Sequence, residues 1–279
     1  MNHRVSDELW KLLSDLISAH FGLVFPEGRR GRLEDRLRER VELLRLGSFA
    51  EYYRFLVHHP SRHAELRELP QLITNNETYF FRETHQFQVL TRHVLQELSA
   101  QLRHRPLRIL SAGCSSGDEP YSIVVSLQEA AGEPSAGRWA IDACDLSPRR
   151  LLQARQARYP ASHLRACDEV MRRAYFEPCN DQFQLRPRYR RDVHFFEGNL
   201  VAPDLRLPGA PYDVIFCRNV LIYFSELAFH AAVGRFHGAL RDGGYLFLGH
   251  AESLVGRRPD FQPVRINGGV VYRKIGRSA

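Results

Sequence analysis

The sequence predicts an α/β protein with a Rossmann-like, mostly parallel sheet, preceded by a small all-helical segment and interrupted by an antiparallel β insertion. Three observations carry this. Leu107 to Ala112 is a short apolar run, followed by a turn containing Gly113 and Gly117 and an apolar-periodic stretch through Val125, the order strand, turn, helix. Strand-like and helix-like patterns then alternate toward the end of the chain, as a parallel sheet requires. Before residue 74 every periodic stretch is helical.

Taken in order, Ser6 caps a predicted helix whose apolar positions Leu9, Leu12, Leu13, Leu16 and Ile17 share one face. Gly22 and the Pro26 to Gly28 stretch break it. A basic amphipathic helix follows, with Leu33, Leu37, Val41 and Leu44 as its apolar stripe and Arg32, Arg36 and Arg40 repeating every four residues on an adjacent face. Ser48 and Glu51 form a capping box for a third helix, and Ser61 to Ile73 reads as a fourth, with Pro70 weakening its end. Thr74 to Glu83 (TNNETYFFRE) has no clean period and packs three aromatics between helical stretches, as a buried joint or a lid would. A helix from His85 to Leu102 leads to the strand at Leu107.

Beyond the glycine turn, Trp139 to Cys144 reads as the second strand, ending at Asp145, and Ser147 starts a helix to Ala157. Tyr159 to Phe196 breaks the alternation. There the pattern predicts a helix over Leu164 to Tyr175 and two short antiparallel strands, Phe183 to Arg188 and Asp192 to Phe196. Asn199-Leu200 closes a strand end. Tyr212 to Cys217 is a buried strand ending in Arg218-Asn219, Ser225 starts a helix to Leu240, and Gly243-Gly244 turns into a strand over Tyr245 to Leu248. A hairpin through Asn267-Gly268-Gly269 ends the fold.

Composition bounds the function. The chain of 279 residues is 44% hydrophobic and 25% charged, enough to bury a sizeable core. No apolar stretch is long enough to span a bilayer, and the first residues lack the apolar centre of a signal peptide, so a cytoplasmic location without membrane insertion is expected. The five cysteines, odd in number and without a CxxC pair, read as reduced thiols. His58, His59 and His63 lack the companions of a metal site, and no metal is expected. The formal net charge of +7 points to an acidic partner.

The turn after Leu107–Ala112 narrows the ligand. Asp118 and Glu119 stand at the start of the following helix, where a phosphate site wants neutral or basic residues, and no Lys follows Gly117. These acids suit a ligand with positive charge, such as S-adenosylmethionine with its sulfonium and ammonium groups. The alternative is that both acids only cap the helix. Asp145, at the end of the second strand, stands where an acid commonly accepts hydrogen bonds from ribose hydroxyls, or caps the next helix. The Asn199 amide is placed to read adenine or its ribose.

At this point the chain resembles the CheR family, S-adenosylmethionine-dependent glutamate O-methyltransferases of bacterial chemoreceptors. The resemblance rests on Thr74–Glu83, on Ala112–Ser122 (AGCSSGDEPYS), on Asp145 and Asn199-Leu200, on Phe216–Phe224 (FCRNVLIYF) and on Gly249–Ser253 (GHAES), all in this order and covering nearly the whole chain. It implies a class I methyltransferase sheet and three regions: a receptor-contacting helical domain (1–73), a linker contributing to the cofactor pocket (74–92) and a methyltransferase domain (93–279) with a β-subdomain inserted near 159–196. By position it implies cofactor contacts at Asn76, Thr78, Arg82, Gly113, Glu119, Asp145, Asn199, Leu200, Arg218 and Asn219, with Arg82 and Tyr223 near the transferred methyl. From the residues alone, Arg82 suits an ion pair with Glu83 equally well, and Tyr223 suits a core aromatic. The product would be S-adenosylhomocysteine.

The resemblance gives Arg32, Arg36 and Arg40 a partner, the acidic methylation helices of a chemoreceptor; a monomeric enzyme is expected. Some family members carry a glycine-rich loop in the β-subdomain that docks a receptor tether peptide. The corresponding Glu177 to Gln182 is short and has no glycine, so independence of such a tether is expected. Nucleic-acid methylation is the alternative the positive charge permits, but Asn219 to Ile222 lacks the prolines and aromatic of an amide-Pro-Pro-aromatic motif.

Overall fold

The computed structural model describes residues 5–25, 28, 30–74, 77–98, 102, 105–132 and 138–276. It divides into two compact units: Met1–Asn76 with Asn199–Leu205 and Tyr223–Ala232, and Glu77–Gly198 with Arg206–Ile222 and Val233–Ala279. Among the described residues no helix is long and apolar enough to cross a membrane.

The first unit is helical, as its periodicity dictates. Helix α1 (Asp7–Phe21) starts on Ser6, whose hydroxyl accepts the Leu9 N–H, and stops at Gly22 with φ 72°. No larger residue fits at Gly22: a Cβ there would lie 2.6 Å from that of Ala228. Helix α2 (Arg30–Leu43) buries Leu33, Leu37 and Val41, the predicted stripe. Helix α3 (Phe49–His58) is capped by Ser48, and α4 (Arg62–Ile73) runs on through Pro70 to Ile73. Pro70 sits in the last turn, where the missing donor costs one bond.

The basic face of α2 is partly consumed within this unit. Arg40 Nε donates to Glu65 Oε1 at 2.9 Å, its Nη2 engages the other carboxylate oxygen, and the Tyr52 hydroxyl donates to Oε1 at 2.7 Å. Glu65 is 3% exposed, so Arg40 is its buried counter-ion. Arg36 donates to the Leu72 carbonyl. Of the three arginines predicted on one face, Arg40 is thus turned into the helical core.

The second unit holds the sheet. From the linker a continuous helix runs as α5 (Thr84–Val89), a π-helical turn Leu90–Val94, and α6 (Leu95–Leu98). Strand β1 (Leu107–Ala112) is followed by α7 (Asp118–Ala131), and β2 (Trp139–Asp145) by α8 (Pro148–Gln156) with Ser147 as its cap. Then come β3 (Arg158–Tyr159), α9 (Glu169–Tyr175), β4 (Phe176–Cys179), β5 (Gln182–Leu185), β6 (Val193–Glu197), β7 (Tyr212–Cys217), α10 (Glu226–Ala239, assigned to the first unit as far as Ala232), β8 (Leu240–Leu248), β9 (Phe261–Ile266) and β10 (Gly269–Lys274). The large sheet has the order β6-β2-β1-β7-β8-β10-β9, with β6 through β8 parallel and β10 antiparallel to both neighbours. Strand order reverses direction between β1 and β7, and in such sheets ligands bind outside the carboxyl ends of the strands at that point. Ile109, Ile141, Val214, Phe216 and Phe247 are fully or almost fully buried, which explains why these strands read as unbroken apolar runs.

The insertion differs from the expectation. Phe183–Arg188 and Asp192–Phe196 do not pair with each other. β5 pairs antiparallel with β4 and with β3, while Val193–Glu197 joins the large sheet parallel to β2. Short strands with similar alternation are indistinguishable by pattern, and Pro187 opens a 3-10 turn that sends the chain back to the sheet edge. The true hairpin turn is Asn180-Asp181, with Asn180 at φ 53°. Strand β8 also starts at Leu240, earlier than the glycine pair suggested, with a register shift against β7 near Tyr212.

Replacing Arg40 by alanine would strand the Glu65 carboxylate in the helical core. A loss of about 3–5 kcal/mol in urea-denaturation stability is expected, and a loss below 1 kcal/mol would show that the pair is not the tie described.

Candidate active site

Asp145 and the β1 turn form one end of the site. Gly113 has φ 80°, and its N–H bonds the Cys144 carbonyl at 2.8 Å. A Cβ on Gly113 would meet Val220 Cγ2 at 2.5 Å, so the turn after β1 lies directly against the loop after β7. Asp145 Oδ2 accepts the Ser115 N–H and Oδ1 the Ser147 N–H, each at 2.8 Å. Burial pushes the Asp145 pKa up, and these two backbone hydrogen bonds offset only part of that. The acid therefore ties the β1 turn to the β2 end.

Glu119 stands in the first turn of α7. It accepts from Ser111 Oγ at 2.8 Å and faces Arg218 Nη1 at 3.2 Å. Burial still raises its pKa above the usual carboxylate value, despite Arg218. Asp118 does not share this position. It is fully buried, accepts from Ser116 Oγ at 2.8 Å and meets His163 Nδ1 at 2.6 Å. The sequence pairs the two acids by adjacency, but a helix separates neighbours by about 100°, and His163 was not foreseen.

Arg218 ties the linker to this edge. Its side chain is 2% exposed; Nη2 lies 3.3 Å from Glu83 Oε2 and also donates to the Arg82 carbonyl, while Nη1 holds Glu119. Burial works against the Glu83 carboxylate, yet Arg218 and the His250 ring at 2.9 Å hold its pKa below the usual value. Arg82 itself donates to the Glu77 carbonyl at 2.9 Å and has its guanidinium 5.9 Å from the Tyr79 ring. The Arg82–Glu83 pair that adjacency allowed does not form; Glu83 is taken by Arg218, His250 and Gln86.

Phe80 and Phe81 of the linker are buried. Phe80 N–H bonds the His163 carbonyl and Phe81 N–H the Ser122 hydroxyl, both at 2.9 Å. The Phe80 ring packs edge-on against Tyr159 and Phe176 at 4.8 and 4.9 Å between centroids. Phe81 and Glu83 both carry φ 57°, a conformation that costs non-glycine residues energy and persists only where surroundings enforce it. Thr78 is half-buried, and Asn76 lies outside the described residues.

Asn219 follows Arg218 with φ 59°, its N–H bound by Glu252. Glu252 was not foreseen either, although it belongs to the quoted Gly249–Ser253 motif. The second unit thus brings together Arg82, Glu119, Arg218 and, around the β1 turn, Gly113 and Asp145. Asn199, Leu200 and Tyr223 belong to the first unit. There the Asn199 amide donates to the His20 carbonyl at 2.7 Å and accepts from Val201 N–H at 3.1 Å, Leu200 is buried, and the Tyr223 carbonyl accepts from Val24 N–H at 2.9 Å.

The donor set at the sheet edge fits a cationic, hydroxyl-bearing ligand. Two carboxylates, Glu119 and Asp145, are more buried than they are compensated, and Ser115 Oγ is buried without a partner beside them. Among the described residues no group of His, Cys, Asp and Glu forms a metal site.

The model of the CheR methyltransferase SAM binding domain matches residues 76–270, and that of the CheR methyltransferase all-alpha domain matches residues 8–74. The chain is 33% identical to the chemotaxis protein methyltransferase of Salmonella typhimurium, over 96% of this chain and 90% of the relative. It is 34% identical to that of Vibrio parahaemolyticus, over 96% and 98%, and 38% identical to chemotaxis protein methyltransferase 2 of Vibrio cholerae, over 84% and 81%.

Arg218→Met keeps the stem and removes the charge between two carboxylates. We expect a loss of about 3–5 kcal/mol at neutral pH. Glu119, whose pKa is already raised, then takes up a proton more readily, so the deficit shrinks as pH falls from 7 to 5. Denaturation at both pH values checks this; an equal deficit contradicts it.

Proposed function

Because the chain belongs to the CheR methyltransferase family, with S-adenosylmethionine as its cofactor, we propose that it methylates glutamate side chains of chemotaxis receptors, giving glutamate methyl esters and S-adenosylhomocysteine. The observation that carries the site assignment is Arg218, which joins the linker at Arg82 and Glu83 to Glu119 at the switch point of the sheet.

When bound, S-adenosylmethionine supplies an electrophilic methyl group on a sulfonium. Glu119 and Asp145 would hold its ammonium and hydroxyl groups as ionised acceptors, with Asn76, Thr78, Gly113, Asn199, Leu200, Arg218 and Asn219 as further contacts. The attacking group is a substrate carboxylate, already ionised at neutral pH because a free glutamate titrates near ~4.3. No general base is required. The chain's task is to align and partly desolvate that carboxylate. We assign its orientation to Arg82, through a charge-assisted hydrogen bond, and to the Tyr223 hydroxyl. Arg82 is suited to this because Glu83, its acidic neighbour, is already neutralised by Arg218.

The receptor-contacting role goes to the helical domain, residues 1–73, with 74–92 as linker and 93–279 as methyltransferase domain. Within the first unit Arg32, Arg36 and Tyr223 line one hollow of about 170 Å³, floored by Leu23, Leu33 and Leu72. Its charge and apolar floor suit an acidic amphipathic helix. Arg40 contributes through Glu65 and not by direct contact. The Asn180-Asp181 turn supports independence of a tether peptide, since two residues leave no loop to pair with one. A nucleic-acid substrate has no support among the matched models and relatives.

Incubation with labelled cofactor and a candidate receptor should put base-labile methyl on the receptor; label on nucleic acid, or stable label, refutes the reading. Arg82→Ala should lower turnover about 10²-fold, and unchanged kinetics would remove Arg82 from the mechanism. Titration of the protein with a receptor C-terminal peptide should show no tight binding; micromolar affinity would restore the tether.

A further inference from the structure

Glu252 has no part in the mechanism above, yet among the described residues few side chains are so fully engaged. It lies in the loop after β8 and is 8% exposed. Its Oε2 accepts the N–H groups of Asn219 at 2.8 Å and Gly249 at 2.7 Å; its Oε1 accepts those of Val220 at 2.9 Å and Ile222 at 3.2 Å. A carboxylate compensated by four backbone donors holds the backbone as firmly as the backbone holds it.

These donors belong to the loops that leave the carboxyl ends of β7 and β8. Asn219 lies beyond the end of β7, so its N–H has no strand partner and needs another. The two loops close tightly: a Cβ on Gly249 would lie 2.7 Å from Asn219 Nδ2 and 2.9 Å from Glu252 Oε2. Val220, held by Glu252, is the residue that fills the space over Gly113. Arg218 is the residue immediately before this cradle. The chain of contacts therefore runs from Glu252 through residues 219–222 to both the β1 turn and the Arg218 tie.

We propose that Glu252 is a positioning residue for the methyl donor. Its carboxylate sets the backbone of residues 219–222, and thereby the placement of Arg218 and Asn219 and the closure of Val220 over Gly113. The proposal rests on reading this sheet edge as the donor site.

Glu252→Gln tests it. The amide offers one acceptor oxygen and turns an NH2 group toward two N–H donors. In the full-length protein we expect at least a tenfold loss of S-adenosylhomocysteine affinity by calorimetry. KM for the donor should rise by a similar factor, with a smaller change in kcat. Amide exchange in the ligand-free protein should accelerate at residues 219, 220, 222 and 249, while β1 and β2 amides keep their protection. Glu252→Asp, which keeps the charge, should fall between the two. A folded Glu252→Gln protein that binds the product as the wild type does overturns the proposal, even if its melting temperature drops. Should Glu252→Gln fail to fold, Gly249→Ala carries the test, because its Cβ forces the same loops apart; unchanged affinity there also overturns it. A wild type that binds no product sinks the donor-site reading and this proposal together, an outcome distinct from a wild type that binds and a variant that binds equally.

Discussion

The sheet edge depends on one buried guanidinium. Arg218 stands between Glu83 and Glu119 and bonds the Arg82 carbonyl. Removing an arginine from water to this extent is costly unless charge and hydrogen bonding compensate it. Here the compensation comes from two different places in the chain, the linker and the first turn of α7. The electrostatic requirement of one side chain is therefore met only when the linker is folded against the sheet edge. Phe81 and Glu83 pay for this with left-handed backbone. The linker's aromatic burial supplies the offset, since Phe80 and Phe81 are almost wholly removed from solvent.

Two carboxylate strategies coexist in the second unit. Asp118 and Glu252 are saturated internally, the one by Ser116 and His163 and the other by four backbone donors. Glu119 and Asp145 also accept hydrogen bonds, Glu119 from Ser111 and Asp145 from the Ser115 and Ser147 N–H groups, yet burial still raises the pKa of both. Saturated acids build the frame, and under-compensated acids are where a cationic ligand gains most. Adjacent in sequence, Asp118 and Glu119 fall into opposite classes because the first turn of a helix points them to different neighbours.

Much of this was legible before any coordinates. The strand–glycine–helix unit, the alternation after it and the helical first segment follow from periodicity, and helix starts at Ser6, Ser48 and Ser147 follow from capping chemistry. Pairing partners were harder. Val193–Glu197 and Gln182–Leu185 share a pattern, and only the competition among sheet edges decides which joins the parallel sheet. Partners distant in sequence were also hidden: nothing local to Arg40 names Glu65, and nothing near Asp118 names His163. Glu252 sits in a legible motif, but its role is hidden there, because its partners are backbone amides and leave no side-chain signature.

The linker's lodging against the insertion has a consequence for the chain's modularity. Phe80 hangs its N–H on the His163 carbonyl and its ring on Tyr159 and Phe176, all contributed by the β3–β4 region. The same region supplies the imidazole that meets Asp118 beside the glycine turn. The small sheet is thus not an ornament that trimming could remove. A minimal version of this enzyme lacking it would have to find another scaffold for its aromatic linker, and chimaeras that exchange the insertion must exchange the linker with it.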